Sequence, residues 1–297
     1  MNQAPPRIAA IHDLSCYGRC ALTVIIPTLS VMGYQVIPLP TALLSTHTGG
    51  YSNLHFRDLT DDMEQISAHF SQIGASFRSV YTGFLGSSGQ IETVERFLAK
   101  FSSVPDESGN TPLVLVDPVM GDDGELYSTY TLELTKGVRR LCDHASVITP
   151  NLTEACLLTG MPYRNTAELP EEEALGYAGE LLHRLSDGSC RQTVVTGIRL
   201  CDGTVANMGI DADRSRFTVR QPECGCSYPG TGDIFASVLL GRMLAGASFR
   251  SACEEAASFT ALLIRRSCKI ASPVRAGVAL EPELWRLALP NANQKGF

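Results

Sequence analysis

Short runs of apolar residues alternate with stretches whose apolar positions recur every three or four residues. The runs at 8–11, 35–39, 79–82, 113–116 and 146–148 are continuous, the pattern of strands buried on both faces. Between them, helical periodicity predicts helices over 21–32, 59–73, 91–101, 132–141, 153–159 and 171–185. Residues 193–196 predict another strand, and 204–210 with 217–220 a hairpin about the polar turn 211–215. Two long helices follow at 233–244 and 249–265, while 45–51 and 105–111 read as loops. Continuous strands separated by helices predict an α/β chain, its mostly parallel sheet covered on both faces. No internal repeat is visible, and 1–297 reads as one domain with a flexible tail at about 290–297.

Composition narrows the class. Hydrophobic residues at 44% and charged residues at 19% exclude wholesale disorder. A net charge of −7 without any Lys/Arg run argues against nucleic acid as partner. Nor does any window approach the 18 apolar residues of a membrane span. The opening residues lack a secretory pattern, so a soluble, cytoplasmic protein is expected. The 10 cysteines are scattered, and the close pairs Cys16/Cys20 and Cys224/Cys226 do not have zinc-site spacing. Reduced thiols serving as small apolar residues are the expectation. Those four stand near the motifs below.

A parallel sheet binds ligands outside the carboxyl ends of its strands. The residues there are polar: His12 and Asp13, the loop 45–51, Thr82 and Gly83, 117–121, 149–154, and Thr196 with Gly197. The sharpest motif is Pro229, Gly230, Thr231, Gly232 and Asp233, opening a helix. Glycines allow a tight turn that aims successive N–H groups at an anion, and the helix N-terminus adds partial positive charge. Asp233 would then stand beside a transferring phosphoryl group, able to accept a hydroxyl proton. The alternative is a plain helix start, in which Thr231 caps and Asp233 complements the dipole. Asp117 to Gly124 sets carboxylates directly after a strand, either a hard-oxygen site for Mg²⁺ with nucleotide phosphates or a polar turn. In Thr149 to Glu154, Thr153 could cap the next helix and Glu154 be its first-turn acid. The fourth stretch, Ser45 to Tyr51, is too polar for an idle connection, although a lone His47 there is more often structural.

Taken together, the four motifs resemble those of the pyridoxal/pyridoxamine kinase branch of the ribokinase-like superfamily, over residues 7–290. That family carries, in this order, a Ser/Thr-x-His-Thr-Gly-Tyr-type loop, Asp-Pro-Val-Met/Leu-Gly-Asp, Ile-Thr-Pro-Asn-x-x-Glu and Gly-Thr-Gly-Asp. The resemblance implies a three-layer α/β/α fold, a homodimer, and ATP-dependent phosphorylation of the 5′-hydroxymethyl group of a B6 vitamer. It implies Asp233 as the base and the amides of Gly230, Thr231 and Gly232 as the anion hole. Asp117 and Glu154 would handle Mg²⁺ with ATP. Thr149, Asn151 and Thr196 would contact phosphates and a monovalent cation such as K⁺, with Gly197 beside them. Asp122 would lie on the nucleotide side, in a loop that closes over ATP. His47 and Thr48 would belong to the vitamer loop, and Cys20 to an apolar part of the pocket. Asp13 stands where many relatives have serine, and Phe84 where some have tyrosine. Residues 121–131 and 16–20 are the candidates for closing movements.

Three other readings compete. A hydroxymethylpyrimidine kinase takes a similar small hydroxymethylated ring, but that branch often shows Met-x-x-Gly motifs early and sometimes cysteine in place of Asp233. A sugar kinase usually carries Asp-Thr-x-Gly-Ala-Gly-Asp, whose first three positions are here Ser227, Tyr228 and Pro229. A non-catalytic binding protein on the kinase fold would be expected to lack the base or the glycines.

Overall fold

The computed structural model describes residues 4–187 and 192–288; Cys190 and the tail at 290–297 lie outside the described residues. The chain begins with β1 (Arg7–Ile11), β2 (Leu14–Tyr17), α1 (Leu22–Val31), β3 (Gln35–Pro38), β4 (Ala42–Thr46), β5 (Phe56–Asp58) and α2 (Thr60–Gln72). β6 (Ser79–Thr82), α3 (Ser88–Phe101) and β7 (Leu113–Val116) follow, then the two-residue strands β8 (Gly121–Asp122) and β9 (Glu125–Leu126). α4 (Leu132–Cys142), β10 (Val147–Ile148), α5 (Leu152–Thr159) and α6 (Glu171–Ser186) lead into β11 (Gln192–Arg199), β12 (Thr204–Ile210) and β13 (Arg216–Pro222). The long helices α7 (Thr231–Leu244) and α8 (Phe249–Lys269) come last.

Eight strands form the central sheet in the order β13-β12-β11-β10-β7-β6-β1-β3. From β3 to β11 every pairing is parallel; the β11-β12-β13 meander is antiparallel. Side-chain alternation explains why the parallel strands are apolar throughout. Ile8, Ala10, Tyr81, Leu115 and Val147 pack with α1, α7 and α8 on one face. Ala9, Ile11, Val80, Val114, Val116 and Ile148 pack with α2, α3 and α4 on the other. The result is the expected three-layer α/β/α arrangement. Strand order reverses at β1, whose neighbours are β3 and β6, and such a switch point opens a crevice at the carboxyl ends.

The predicted strands and helices are present, with three additions. Residues 45–51 are not wholly a loop: β4 runs through Thr46 and joins β2 and β5 in a separate three-stranded sheet. Its strands escape a period-two reading because β2 has four residues and β5 three. The carboxylate stretch after β7 folds into the β8-β9 hairpin. β11 runs to Arg199, with a bulge between Val195 and Ile198. Among the described residues, no helix is long and apolar enough to cross a membrane.

Candidate active site

Every candidate residue lines one cavity of about 650 Å³, which follows the strand ends from Asp13 and Phe84 to Asn207 on the meander. At its centre is the start of α7. Gly230 is the N-cap, in left-handed backbone at φ 79°, and no side chain caps the helix. A Cβ there would overlap the Arg19 carbonyl oxygen and crowd the Cα of Cys20, so glycine is required by conformation and by contact. The Thr231 hydroxyl donates to the Tyr228 carbonyl (3.0 Å), so it closes the turn rather than capping the helix. The first N–H groups of α7 are thereby left without a side-chain partner at the cavity wall. Asp233 sits in the first turn, its side chain 14% exposed. Its Oδ2 accepts from the Ala21 amide (2.8 Å), and its Oδ1 lies 3.9 Å from His12 Nδ1. Ala21 reaches this position with φ 47°, a rare conformation for a residue with a side chain.

Next to it, Asp117 ends β7 and accepts from the Thr149 hydroxyl (2.8 Å), both groups being buried. Glu154 and Asn151 form a capping box at the start of α5. Asn151 accepts from the Glu154 amide (2.9 Å), and Glu154 Oε2 accepts from the Asn151 amide (2.8 Å). Glu154 Oε1 accepts from the Met120 amide (3.1 Å), tying α5 to the end of β7. Asn151, not Thr153, is therefore the cap; the Thr153 hydroxyl accepts from the Gly124 amide (2.8 Å) and holds the β8-β9 hairpin. Asn151 Nδ2 grips the same hairpin by donating to the Gly121 carbonyl (2.8 Å). Asp122 projects from it, exposed, on the cavity side. Thr196 pairs with Asn151 across the bulge, and the Gly197 amide donates to Asn207 Oδ1 (3.3 Å).

At the other end, buried Asp13 accepts from the Ser15 hydroxyl (2.8 Å). Phe84 packs edge-on against Tyr130, with ring centroids 6.0 Å apart. Thr48 lines the wall, but both nitrogens of neighbouring His47 are engaged. Its Nδ1 accepts from the Gly49 amide (3.2 Å), which fixes the tautomer, and its Nε2 donates to the Arg275 carbonyl (2.8 Å). His47 therefore pins the loop after β4 to residue 275. Cys20, Cys224 and Cys226 line the cavity, whereas Cys16 lies exposed outside it. Cys16, Cys20, Cys224 and Cys226 are free thiols.

The site is crowded with buried acid. Burial pushes Asp13 up to about 6 and Asp117 up to about 7, the Ser15 and Thr149 hydroxyls opposing. Asp233 is pushed up to about 8 by burial and then by the charge of Asp117. Glu154 also rises, through burial and Asp117, against its two amide donors. Such a set is relieved by positive charge. Hard oxygens on Asp117 and Glu154 suit Mg²⁺, which commonly takes one or two carboxylates and leaves its other positions to phosphate and water. Among the described residues no three His, Cys, Asp or Glu side chains converge to cage an ion by themselves, and a shared metal needs no such cage.

Several site groups have no motif of their own. Tyr127, Asn207 and the Ala21 amide all reach the cavity or Asp233, yet Asn207 and Ala21 sit in segments read for their periodicity and Tyr127 in one read only as a candidate for closing. His12 was visible only as one of the polar residues after β1.

The chain is similar to known proteins along most of its length. A family model described as phosphomethylpyrimidine kinase matches residues 8–276. A pyridoxine/pyridoxal/pyridoxamine kinase of Bordetella avium is 29% identical over 265 residues, which are 85% of this chain and 82% of the relative. A solved Bacteroides thetaiotaomicron structure, classed among the phosphomethylpyrimidine kinases and crystallised with pyridoxal, is 38% identical at a TM-score of 0.87, covering 96% of each chain. The pyridoxal kinase of Lactobacillus plantarum is 28% identical at a TM-score of 0.83, covering 95% of this chain and 96% of that one.

Proposed function

The chain belongs to the phosphomethylpyrimidine kinase family and, within the ribokinase-like superfamily, to the pyridoxal kinase family, and from that premise we propose that it phosphorylates the 5′-hydroxymethyl group of B6 vitamers with ATP. The observation that carries the reading is Asp233, set in the uncapped first turn of α7 and lining a cavity of about 650 Å³ that reaches Phe84 on one side and Asn207 on the other.

The vitamer ring lies between Phe84 and the Thr48 side, its polar edge toward Asp13. ATP lies along Asp122, Thr196, Gly197 and Asn207, with its phosphates over the start of α7. Asp233 takes the hydroxymethyl proton as the oxygen attacks the γ-phosphorus, and the α7 amides receive the charge on the transferring group. Asp117 and Glu154 would hold Mg²⁺, which would supply positive charge to the phosphate oxygens of ATP. Thr149, Asn151 and Thr196 supply oxygens for a monovalent cation such as K⁺. The β8-β9 hairpin, tied down by Asn151, Thr153 and an exposed Arg199–Asp123 ion pair, is the element placed to close over the nucleotide.

A second reading, hydroxymethylpyrimidine as the alcohol, is favoured by the description of the matching family model. A coupled ADP-release assay with pyridoxal, pyridoxamine, pyridoxine and hydroxymethylpyrimidine tests both. The proposal expects kcat/KM highest for a B6 vitamer, with product phosphate on the 5′ oxygen. A preference for the pyrimidine replaces it with the second reading, and binding of vitamers without turnover makes the chain a binding protein.

A further inference from the structure

His12, the first residue beyond β1, is fully enclosed, and neither ring nitrogen has a hydrogen-bond partner at normal distance, the Tyr81 backbone acting only from longer range. An enclosed imidazole without partners is costly, and an apolar side chain would fill the same space without that cost. The space itself is specific. The Tyr81 ring packs edge-on with centroids 4.3 Å apart, and a Cβ on Gly83 would overlap the imidazole. The side chain that the ring approaches is the carboxylate of Asp233, at 3.9 Å from Nδ1. Burial depresses the His12 pKa to about 3 against a smaller opposing pull from the Tyr81 backbone, so the ring is neutral and can offer a lone pair.

Asp233 has a use for that lone pair. Its Oδ2 is taken by the Ala21 amide, so a proton gained in the reaction resides on Oδ1, the oxygen beside His12. We propose that His12 is a positioning residue for phosphoryl transfer, accepting through Nδ1 a hydrogen bond from the protonated Asp233. As the substrate oxygen bonds to the γ-phosphorus, its proton passes to Oδ1 and the electron pair of the breaking P–O bond leaves on the nucleoside diphosphate. Oδ1–H then turns to Nδ1, which needs an approach of about 1 Å. The bond raises the proton affinity of Asp233 only in its protonated form. The charged side chains acting on Asp233 from neighbouring elements are Asp13 after β1 and Asp117 after β7, and the neutral titratable groups that feel its charge are Cys20, Tyr81 and Tyr127.

The inference rests on Asp233 as the base. The test is the pH profile of kcat/KM for whichever hydroxymethyl substrate the wild type turns over, with a melt of each variant. His12→Leu fills the space and removes the acceptor; it should lower kcat about tenfold and move the acidic midpoint down by about one pH unit. His12→Asn sets an oxygen near the Nδ1 position and should restore both. His12→Gln sets its oxygen nearer Nε2 and should not, which keeps the test decisive if the Leu variant fails to fold. An unshifted acidic midpoint in the Leu variant, or Asn no better than Gln, overturns the inference. Asp233→Asn run in parallel separates the two ideas. An active Asp233→Asn removes the base itself, whereas an inactive one beside an unshifted His12→Leu defeats only the role of His12.

Discussion

Replacing Asp233 by Asn should stabilise the ligand-free protein while abolishing turnover. Burial and the charges of Asp117 and Asp13 raise the Asp233 carboxyl to about 8, the Ala21 amide opposing them. In an unfolded chain the group titrates near 4. Between those values the folded protein holds a proton that the unfolded chain has released, so stability falls as pH rises through this window. At about 1.4 kcal/mol per pH unit, the accumulated cost by pH 7.5 is on the order of 3–5 kcal/mol. Asparagine does not titrate. Its carbonyl can still accept from Ala21, and its NH₂ can donate to His12. At about 2 °C per kcal/mol for a chain of this size, Tm at pH 7.5 should rise by about 6 °C or more. At pH 5 the gain should shrink to about a third. Phosphorylation should fall by about 10²–10⁴-fold, the usual loss for a general base. Thermal melts at the two pH values, without nucleotide, decide the matter. A variant no more stable at pH 7.5, or one with equal gains at both pH values, refutes the electrostatic account of the site.

Glu154→Gln leaves one buried amide facing an NH₂ instead of an oxygen, a loss of about 1–3 kcal/mol that at neutral pH is offset by removing a carboxylate disfavoured by burial and Asp117; melts at about pH 4 without nucleotide isolate the loss, and an unchanged Tm there would deny the capping role. Gly230→Ala places a side chain in left-handed backbone and against Arg19, so it should cost more than about 1–2 kcal/mol and depress kcat, read by melts and steady-state kinetics. Cys16→Ser, Cys224→Ser and Cys226→Ser should each keep most of the activity, and inactivation by any one would assign that thiol a part in turnover. Asp13→Ser should lower kcat/KM for pyridoxamine, whose aminomethyl group is cationic, by about ten- to a hundredfold more than for pyridoxal; equal losses would restrict Asp13 to holding Ser15 and the turn after β1.

The central sheet was legible because burial on both faces writes itself as continuous apolar runs: Leu113 to Val116 is a strand on sight. The strand ends were legible for the converse reason, since Asp117 or Asn151 has no business beside such runs unless the crevice there is polar. The smaller sheet was not. β2 reads Leu-Ser-Cys-Tyr and β5 Phe-Arg-Asp, and pairing with β4 rather than either pattern makes them strands. Roles within the site were legible only in outline. Glu154 shows a capping box once Asn151 is seen three residues before it, yet the bond from its second oxygen to Met120 joins segments 34 residues apart. The Ala21 amide that holds Asp233 lies 212 residues away and carries no side-chain signal at all.

What those long-range contacts share is their target. Ala21 adopts a positive φ, Gly230 admits no side chain, Gly83 makes room for an imidazole, and His12 is buried without a hydrogen-bond partner at normal distance. Each breaks a local rule of stability, and all four bear on the one carboxylate at the start of α7, Gly83 through His12. Some helix starts are ordinary, with a capping box from Asn151 and Glu154, Thr131 capping α4 and Ser248 capping α8, and left-handed backbone recurs at Asn53, Asp123, Arg214 and Ala271. A sequence selected only for folding would place an apolar residue at 12 and a cap at 230. That these four converge on Asp233 is a reason to treat it as the centre of the chemistry, and its burial beside Asp117 explains why neutralising this residue should make the protein both more stable and nearly inert.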